Sequence, residues 1–162
     1  MRPRVPQTEG GSQPLWTTDR RFTDGRVRAV SEGRWGPLRD ELEIDVRRVA
    51  ERLRGLSQTR LAGAAPPFTS RAVAARLAAQ RLAEAAQGLA DRAGEDEPAW
   101  RALPDLSDFA AGDLVAVTGQ NLLEEIDSCP LEDSVWVPGG RRTARDVVSD
   151  AAGTLAATRR LL

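Results

Sequence analysis

Residues 42–56 have the sequence LEIDVRRVAERLRGL, in which apolar side chains recur at gaps of 4, 3, 4 and 3 residues. This spacing gathers the apolar side chains on one face of an α-helix and leaves the charged side chains on the other faces. Pro37 fits the first helical turn, where its missing amide hydrogen has no partner to lose, and Gly63 with Pro66 ends the pattern. The pattern therefore predicts an amphipathic helix over 37–61.

Three later stretches repeat this spacing. Ser70 and Thr143 stand immediately before two of them and are preferred N-cap residues. Residues 114–117 are apolar enough for a short strand, but the helical spacing continues on both sides of them and favours a helix. We expect residues 128–142 to form a loop. The further helices are predicted over 71–92, 108–127 and 144–162.

The four helices imply a simple domain organisation. Amphipathic helices joined by modest connections predict an all-α fold, namely an antiparallel four-helix bundle over 37–162. Residues 1–36 lack helical periodicity and are rich in Pro, Gly, Thr and Arg, so we expect an irregular, partly flexible N-terminal segment. Within it, the Asp24-Gly25 pair favours a short hairpin over 21–28.

The amino-acid composition excludes several kinds of catalytic site. The chain contains no His and no Lys, and all 23 basic residues are Arg. These absences exclude a Ser-His-Asp relay, an imidazole metal ligand and a lysine Schiff base. Cys129 is the only cysteine, which excludes an intrachain disulfide and a four-cysteine zinc site. We therefore name no catalytic residue, metal or cofactor and favour a protein that is not an enzyme, while catalysis by Asp, Glu, Ser, Thr, Arg or Cys129 stays open.

The sequence also bears on localisation. No apolar run approaches the roughly 18 residues that a membrane-spanning helix needs. The N-terminal residues lack the apolar stretch of a secretory signal, and a single cysteine is not typical of a disulfide-stabilised secreted protein. These features predict a cytoplasmic protein without a membrane partner.

Four tryptophans lie outside the predicted helices, each within two residues of a proline. One interpretation is that they pack over the ends of a bundle with many small residues and add apolar area to its core. The other is an aromatic surface for a protein partner, since Trp is enriched at binding hot spots. Trp100 and Trp136 are the candidates for that role, whereas Trp16 and Trp35 lie nearer the N-terminus.

Small residues leave a shallow slot on the helix predicted over 108–127, at Gly112, Ala116 and Gly119. A close crossing by the helix over 71–92 or over 144–162 would fill this slot. The alternative is that the slot binds a small molecule, so these three residues are candidate ligand contacts.

Two arginines precede the last predicted helix. Arg141 and Arg142 follow Gly139-Gly140, so guanidinium groups and helix-terminal amides can meet there. Such a combination can hold a phosphate or a carboxylate, which makes both arginines candidate anion-binding residues. The simpler interpretation is a turn with solvated arginines.

Acidic residues are concentrated in one part of the chain. Residues 95–134 contain eleven acids and one base, Arg101, a net charge of −10, whereas the rest of the chain carries +9. Arginines on the flanks of the other helices can neutralise this segment within one molecule. We favour an exposed acidic face that attracts a basic partner or a second copy of the chain. Its candidate residues are Glu124, Glu125, Asp127, Glu132 and Asp133.

Three functional hypotheses follow, in order of preference. The first is a non-enzymatic intracellular helical interaction protein that acts through protein–protein contacts or self-association. The second is a regulatory helical domain that binds a small molecule or an anion. The third is a nucleic-acid-binding regulator or an enzyme that uses carboxylates, and the net charge of −1, without an evident basic stripe, counts against nucleic-acid binding.

Overall fold

A computed structural model describes residues 35–162, and helix is their main regular structure. The hairpin predicted over 21–28 and Trp16 lie outside the described residues. The prediction of a mainly helical chain is confirmed for the described part. Its elements, in chain order, are α1 (Gly36–Arg54), α2 (Gln58–Ala62), α3 (Arg71–Ala90), a 3₁₀ turn (Asp108–Ala110), α4 (Ala111–Ser128), β1 (Ser134–Val137), β2 (Gly140–Thr143) and α5 (Ala144–Arg159).

The first predicted helix is in fact two helices. α1 ends before Gly55, a residue type that lowers helix stability. Ser57 then accepts a hydrogen bond from the Arg60 amide (3.4 Å) and caps the short helix α2. Leu56 and Leu61 are both buried, so the apolar stripe continues across the interruption.

The N-caps of the second and fourth predicted helices are confirmed. The Ser70 hydroxyl accepts from the Val73 amide (3.1 Å), and the Thr143 hydroxyl accepts from the Asp146 amide (3.2 Å). Each bond satisfies an amide that has no partner within its own helix. Residues 114–117 belong to α4, so their helical interpretation is confirmed as well.

The prediction of a loop over 128–142 is wrong, because a β-hairpin occupies its second half. β1 and β2 pair antiparallel, with Trp136 opposite Arg141. Gly139 has a φ of 88°, which is the left-handed region that glycine adopts readily, and it lets the chain reverse. Strands of four residues are too short for a clear alternation of apolar and polar side chains, so the sequence pattern did not reveal them.

The core lies where the longer helices meet. α4 packs against α1 and α3, and α5 packs against the same two helices. Full burial of a Leu or Val side chain contributes about 1.5–3 kcal/mol. Among the described residues, no helix combines the length and the apolar character needed to cross a membrane. The largest fully buried side chains include Leu42, Val49, Leu53, Leu82, Leu89, Leu122, Ile126, Val148 and Leu155.

Gly88 on α3 allows the hairpin to pack closely against this helix. The backbone carbonyl oxygen of Trp136 occupies the space that a Cβ on Gly88 would need. Any larger residue would therefore push β1 away from α3. This close approach places Trp136 over the C-terminal half of α3.

Candidate interaction surface

The predicted slot of small residues is closed by α1. A Cβ on Gly112 would lie 2.9 Å from the carbonyl oxygen of Ala50, and a Cβ on Gly119 would lie 2.5 Å from both Cγ atoms of Val46. The crossing helix is therefore α1, a correction to the expected α3 or α5. Ala116 is half-buried against the core. Atoms of α1 fill the space in which the sequence allowed a small molecule.

Both arginines of the candidate anion site have partners within the chain. Arg141 stacks on Trp136, with its guanidinium carbon 4.0 Å from the ring centroid, and it donates hydrogen bonds to the carbonyls of Arg92 (3.0 Å) and Gly94. Arg142 donates to Asp150 (2.6 Å), and this hydrogen bond raises the pKa of Arg142. The two side chains extend from a strand, β2, rather than from a simple turn.

The two candidate tryptophans both lie close to Gly88. Trp136 packs its backbone against this glycine, and a ring carbon of Trp100 lies 3.6 Å from the position of a Cβ there. The Trp136 indole donates to the Gly94 carbonyl (3.3 Å), and both side chains are half-buried. Trp35, by contrast, is buried and donates to the Cys129 carbonyl (2.8 Å). Much of the indole surface is thus used in packing within the chain.

Glu97 lies in the connection that follows α3, and its hydrogen bonds link this connection to the hairpin. Its carboxylate accepts from the Trp100 indole (2.6 Å) and from the Gly139 amide (3.0 Å). The hydrogen bond from Trp100 is the main reason that the pKa of Glu97 lies below its ordinary value, and the Gly139 amide adds to the effect. The carboxylate acts as a hydrogen-bonded link between two irregular segments.

Asp127 has an arginine partner on α1. Arg39 donates through two nitrogens, at 2.6 and 3.0 Å, and also reaches Glu43 (3.0 Å) on its own helix. The hydrogen bond with Asp127 is the largest cause of the raised pKa of Arg39 and outweighs the opposite effect of burial. This bidentate pair fixes the end of α4 against the start of α1.

Glu132 and Asp133 are also ion-paired. Arg145 approaches Glu132 at 3.4 Å, and Arg92 approaches Asp133 at 3.5 Å. All four side chains remain partly exposed, so each pair contributes only about 0–1 kcal/mol. Arginines from other segments thus neutralise part of the predicted acidic face. Neutralisation within one molecule was the alternative to a fully exposed face that the sequence left open.

Glu124 and Glu125 differ from the other three acids, because neither has an arginine partner among the described residues. Glu124 accepts from Gln120 (3.1 Å), which lies one helical turn earlier on α4. Both carboxylates border a groove between α3 and α4. Their negative charges are therefore available to a molecule in that groove.

Gln80 and Gln87 on α3, which were not identified from the sequence, form a clamp that holds the connection after α3, and this connection forms one wall of the groove. The Gln80 amide group donates to the Arg101 carbonyl (3.3 Å) and accepts from the Leu103 amide (3.1 Å). The Gln87 amide group donates to the Ala99 carbonyl (2.9 Å) and accepts from the Arg101 amide (3.1 Å). Two glutamines two helical turns apart on an alanine-rich helix were the available sequence signal.

The groove that is bordered by α3, α4 and this connection is hereafter called the acidic groove. It has a volume of about 580 Å³. Its wall includes the side chains of Val117, which is 59% exposed, and Leu106, which is 43% exposed. Exposed apolar side chains next to unpaired carboxylates are what distinguish this groove from the ion-paired surface around it. Its lining residues are Ala83, Ala86, Gln87, Ala90, Asp91, Arg101, Ala102, Leu103, Pro104, Leu106, Asp113, Leu114, Val117, Thr118, Asn121, Glu124 and Glu125.

Comparison with protein-family models, with curated proteins and with solved structures finds no match to this chain. The acidic groove is therefore the feature of this chain from which a function can be inferred.

Proposed function

We propose that this chain is a non-enzymatic intracellular interaction protein whose acidic groove binds a basic, amphipathic segment of a partner protein. The observation that carries the proposal is the exposure of Val117 and Leu106 beside Glu124 and Glu125. Apolar residues of the partner would cover Val117 and Leu106, and arginines or lysines of the partner would face the two glutamates. We also propose that α1, α3, α4 and α5 form an antiparallel four-helix bundle that holds the groove walls.

Charge gives this interaction its selectivity. The acidic groove contains the acids Asp91, Asp113, Glu124 and Glu125 against one base, Arg101. Opposite charge on the partner raises the rate of encounter, and like charge disfavours acidic partners. Affinity would come mainly from desolvating the apolar wall, as in other grooves that bind amphipathic helices.

The test uses a fluorescent synthetic peptide of about five helical turns, with leucines along one face and arginines elsewhere. We expect fluorescence anisotropy to detect binding that weakens as salt rises. Val117→Glu should weaken binding by about tenfold or more, because it introduces a charge into the apolar wall. Glu124→Gln/Glu125→Gln should weaken binding at low salt and reduce its dependence on salt.

Two controls make this test specific. Leu77→Glu also places a charge on an exposed apolar position of α3, but outside the acidic groove, and should leave binding unchanged. A peptide of the same composition, with its leucines scattered around the helix, should bind weakly. Equal affinities of the wild-type chain and Val117→Glu for the amphipathic peptide would overturn the proposal.

A further inference from the structure

The acidic groove has a candidate ligand in the chain's own sequence, immediately before the described residues. Residues 20–34 contain five arginines and two acids, a net charge of +3, whereas residues 1–19 contain two arginines and two acids. The stretch 20–34 also carries the apolar residues Phe22, Val27 and Val30 among its charges. It therefore combines the positive charge and the apolar side chains that suit the acidic groove.

The position of Trp35 brings this stretch close to the groove. The Trp35 indole donates to the carbonyl of Cys129 (2.8 Å), which follows the last residue of α4. Glu124 and Glu125 lie about one helical turn before that end of α4. α1 packs on one face of α4 and the groove opens on another, so the chain before Trp35 has to cross α4. About six extended residues span roughly 20 Å, more than the width of about 10–12 Å of a helix with its side chains.

The carboxylates of the groove are available to these arginines. Glu124 and Glu125 on α4, and Asp91 at the end of α3, line the groove without an arginine partner among the described residues. A guanidinium group can bind a carboxylate through two parallel hydrogen bonds. Exposed ion pairs are weak one at a time, but a ligand tethered by a short connection has an effective concentration of roughly millimolar. Even a modest affinity therefore keeps the groove occupied.

We propose that residues 20–34 bind in the acidic groove of the same molecule and compete there with the partner protein. Arginines of this segment would face Glu124 and Glu125, and its apolar residues would cover Val117 and Leu106. A partner has to displace the segment, so the segment lowers the apparent affinity of the groove for other ligands. This inference rests on the proposed function, since it assigns a second ligand to the same groove.

Methyl NMR of the full chain tests the occupancy of the groove. In Arg26→Glu/Arg28→Glu the acids of the groove would repel the segment, so we expect the methyl resonances of Val117 to shift relative to the wild-type chain. Arg2→Glu/Arg4→Glu makes the same change of charge outside the segment and should leave these resonances in place. High salt should move the Val117 resonances of the wild-type chain towards their positions in Arg26→Glu/Arg28→Glu.

Peptide binding tests the competition. The fluorescent amphipathic peptide should bind Arg26→Glu/Arg28→Glu about tenfold more tightly than the wild-type chain at low salt, because the groove is no longer occupied. Adding Val117→Glu to this variant should remove the gain. Arg2→Glu/Arg4→Glu should bind the peptide as the wild-type chain does, which separates the effect of the segment from that of overall charge.

The two proposals fail in different ways. Unchanged Val117 resonances together with an unchanged peptide affinity in Arg26→Glu/Arg28→Glu would overturn the docking of residues 20–34 and leave the proposed function intact. Equal effects of the two double variants would also overturn the docking, because overall charge would then explain both. A Val117 shift in Arg26→Glu/Arg28→Glu alone, without peptide binding by any of the chains, would support the docking and contradict the proposed function.

Discussion

At the scale of single residues, Gly119 and Gly153 allow the same substitution to be compared in two environments. Both lie inside helices, so replacing either by alanine brings a similar gain in helix propensity. Only Gly119 is packed against another helix, where Val46 is a stiff, β-branched neighbour. The difference between the two variants therefore reports packing.

We predict opposite signs for the two substitutions. Gly119→Ala should lower the free energy of unfolding by about 1–2 kcal/mol, because overpacking outweighs the gain in propensity. Gly153→Ala should raise it by about 0.5–1 kcal/mol in the monomer. Urea denaturation at low protein concentration measures both values. A stabilised Gly119→Ala would show that α1 moves away from α4 at little cost.

Glu97 allows a prediction about pH. Its hydrogen bonds favour the charged form, so its pKa in the folded chain lies below the ordinary value of 4.5. The stabilisation from this group is complete above the unfolded pKa and is lost as pH falls through the lower, folded pKa. The indole ¹H–¹⁵N resonance of Trp100 should therefore titrate with a midpoint below 4.5.

Two variants check the source of this titration. Glu97→Gln has no carboxylate to protonate, so the Trp100 indole resonance should stay nearly constant over the same range. Glu95→Gln keeps the Glu97 carboxylate and should titrate like the wild-type chain. A wild-type midpoint at or above 4.5 would contradict the hydrogen-bonded arrangement.

At the scale of secondary-structure elements, α3 holds the connection that follows it. Gln80 and Gln87 each offer one acceptor and one donor to the backbone of that connection, as a neighbouring strand would do. Arg76 adds a hydrogen bond to the Leu106 carbonyl and an ion pair with Asp105 (2.9 Å). An irregular segment is thereby ordered along a helix and forms a wall of the acidic groove.

Hydrogen exchange distinguishes the two glutamines. Gln87→Ala should speed exchange of the Arg101 amide, and Gln80→Ala should speed exchange of the Leu103 amide, because each variant removes that amide's acceptor. Each variant is the control for the other. We expect each to lower the free energy of unfolding by about 1–3 kcal/mol, since it loses two hydrogen bonds to the connection. Unchanged exchange at both amides would show that the clamp is not formed in solution.

At the scale of the whole molecule, α3 separates two grooves. Leu77 lines a groove between α3 and α5, whereas Ala86 lines the acidic groove, and nine residues of helical rotation place them on opposite sides of α3. The proposed peptide binding depends on unbalanced charge, so high salt should weaken it.

The pairing of charges is also a property of the whole molecule. Segment 95–134 is strongly acidic, and six of its eleven carboxylates pair with arginines that lie outside it. These pairs are mostly exposed and contribute little stability individually. Glu124 and Glu125 are among the acids that have no arginine partner within the described residues, and both line the acidic groove.

The sequence by itself determined the positions of the longer helices and of two of their caps. Apolar spacing and N-cap preference act within a few residues of one another, so Ser70 and Thr143 could be identified without any knowledge of the fold. The break at Gly55 and the hairpin were missed because one glycine or four strand residues give too weak a local signal.

Only the tertiary structure decided which surfaces meet. Arg39 and Asp127 are 88 positions apart, and the spacing of Gly112 and Gly119 is equally compatible with a crossing by any of the other helices. Contacts of this kind depend on how packed helices are oriented, which the periodicity of a single helix does not contain. For the same reason the sequence identified Glu124 and Glu125 as acidic, whereas the packing of α3, α4 and the clamped connection placed them beside an exposed apolar wall.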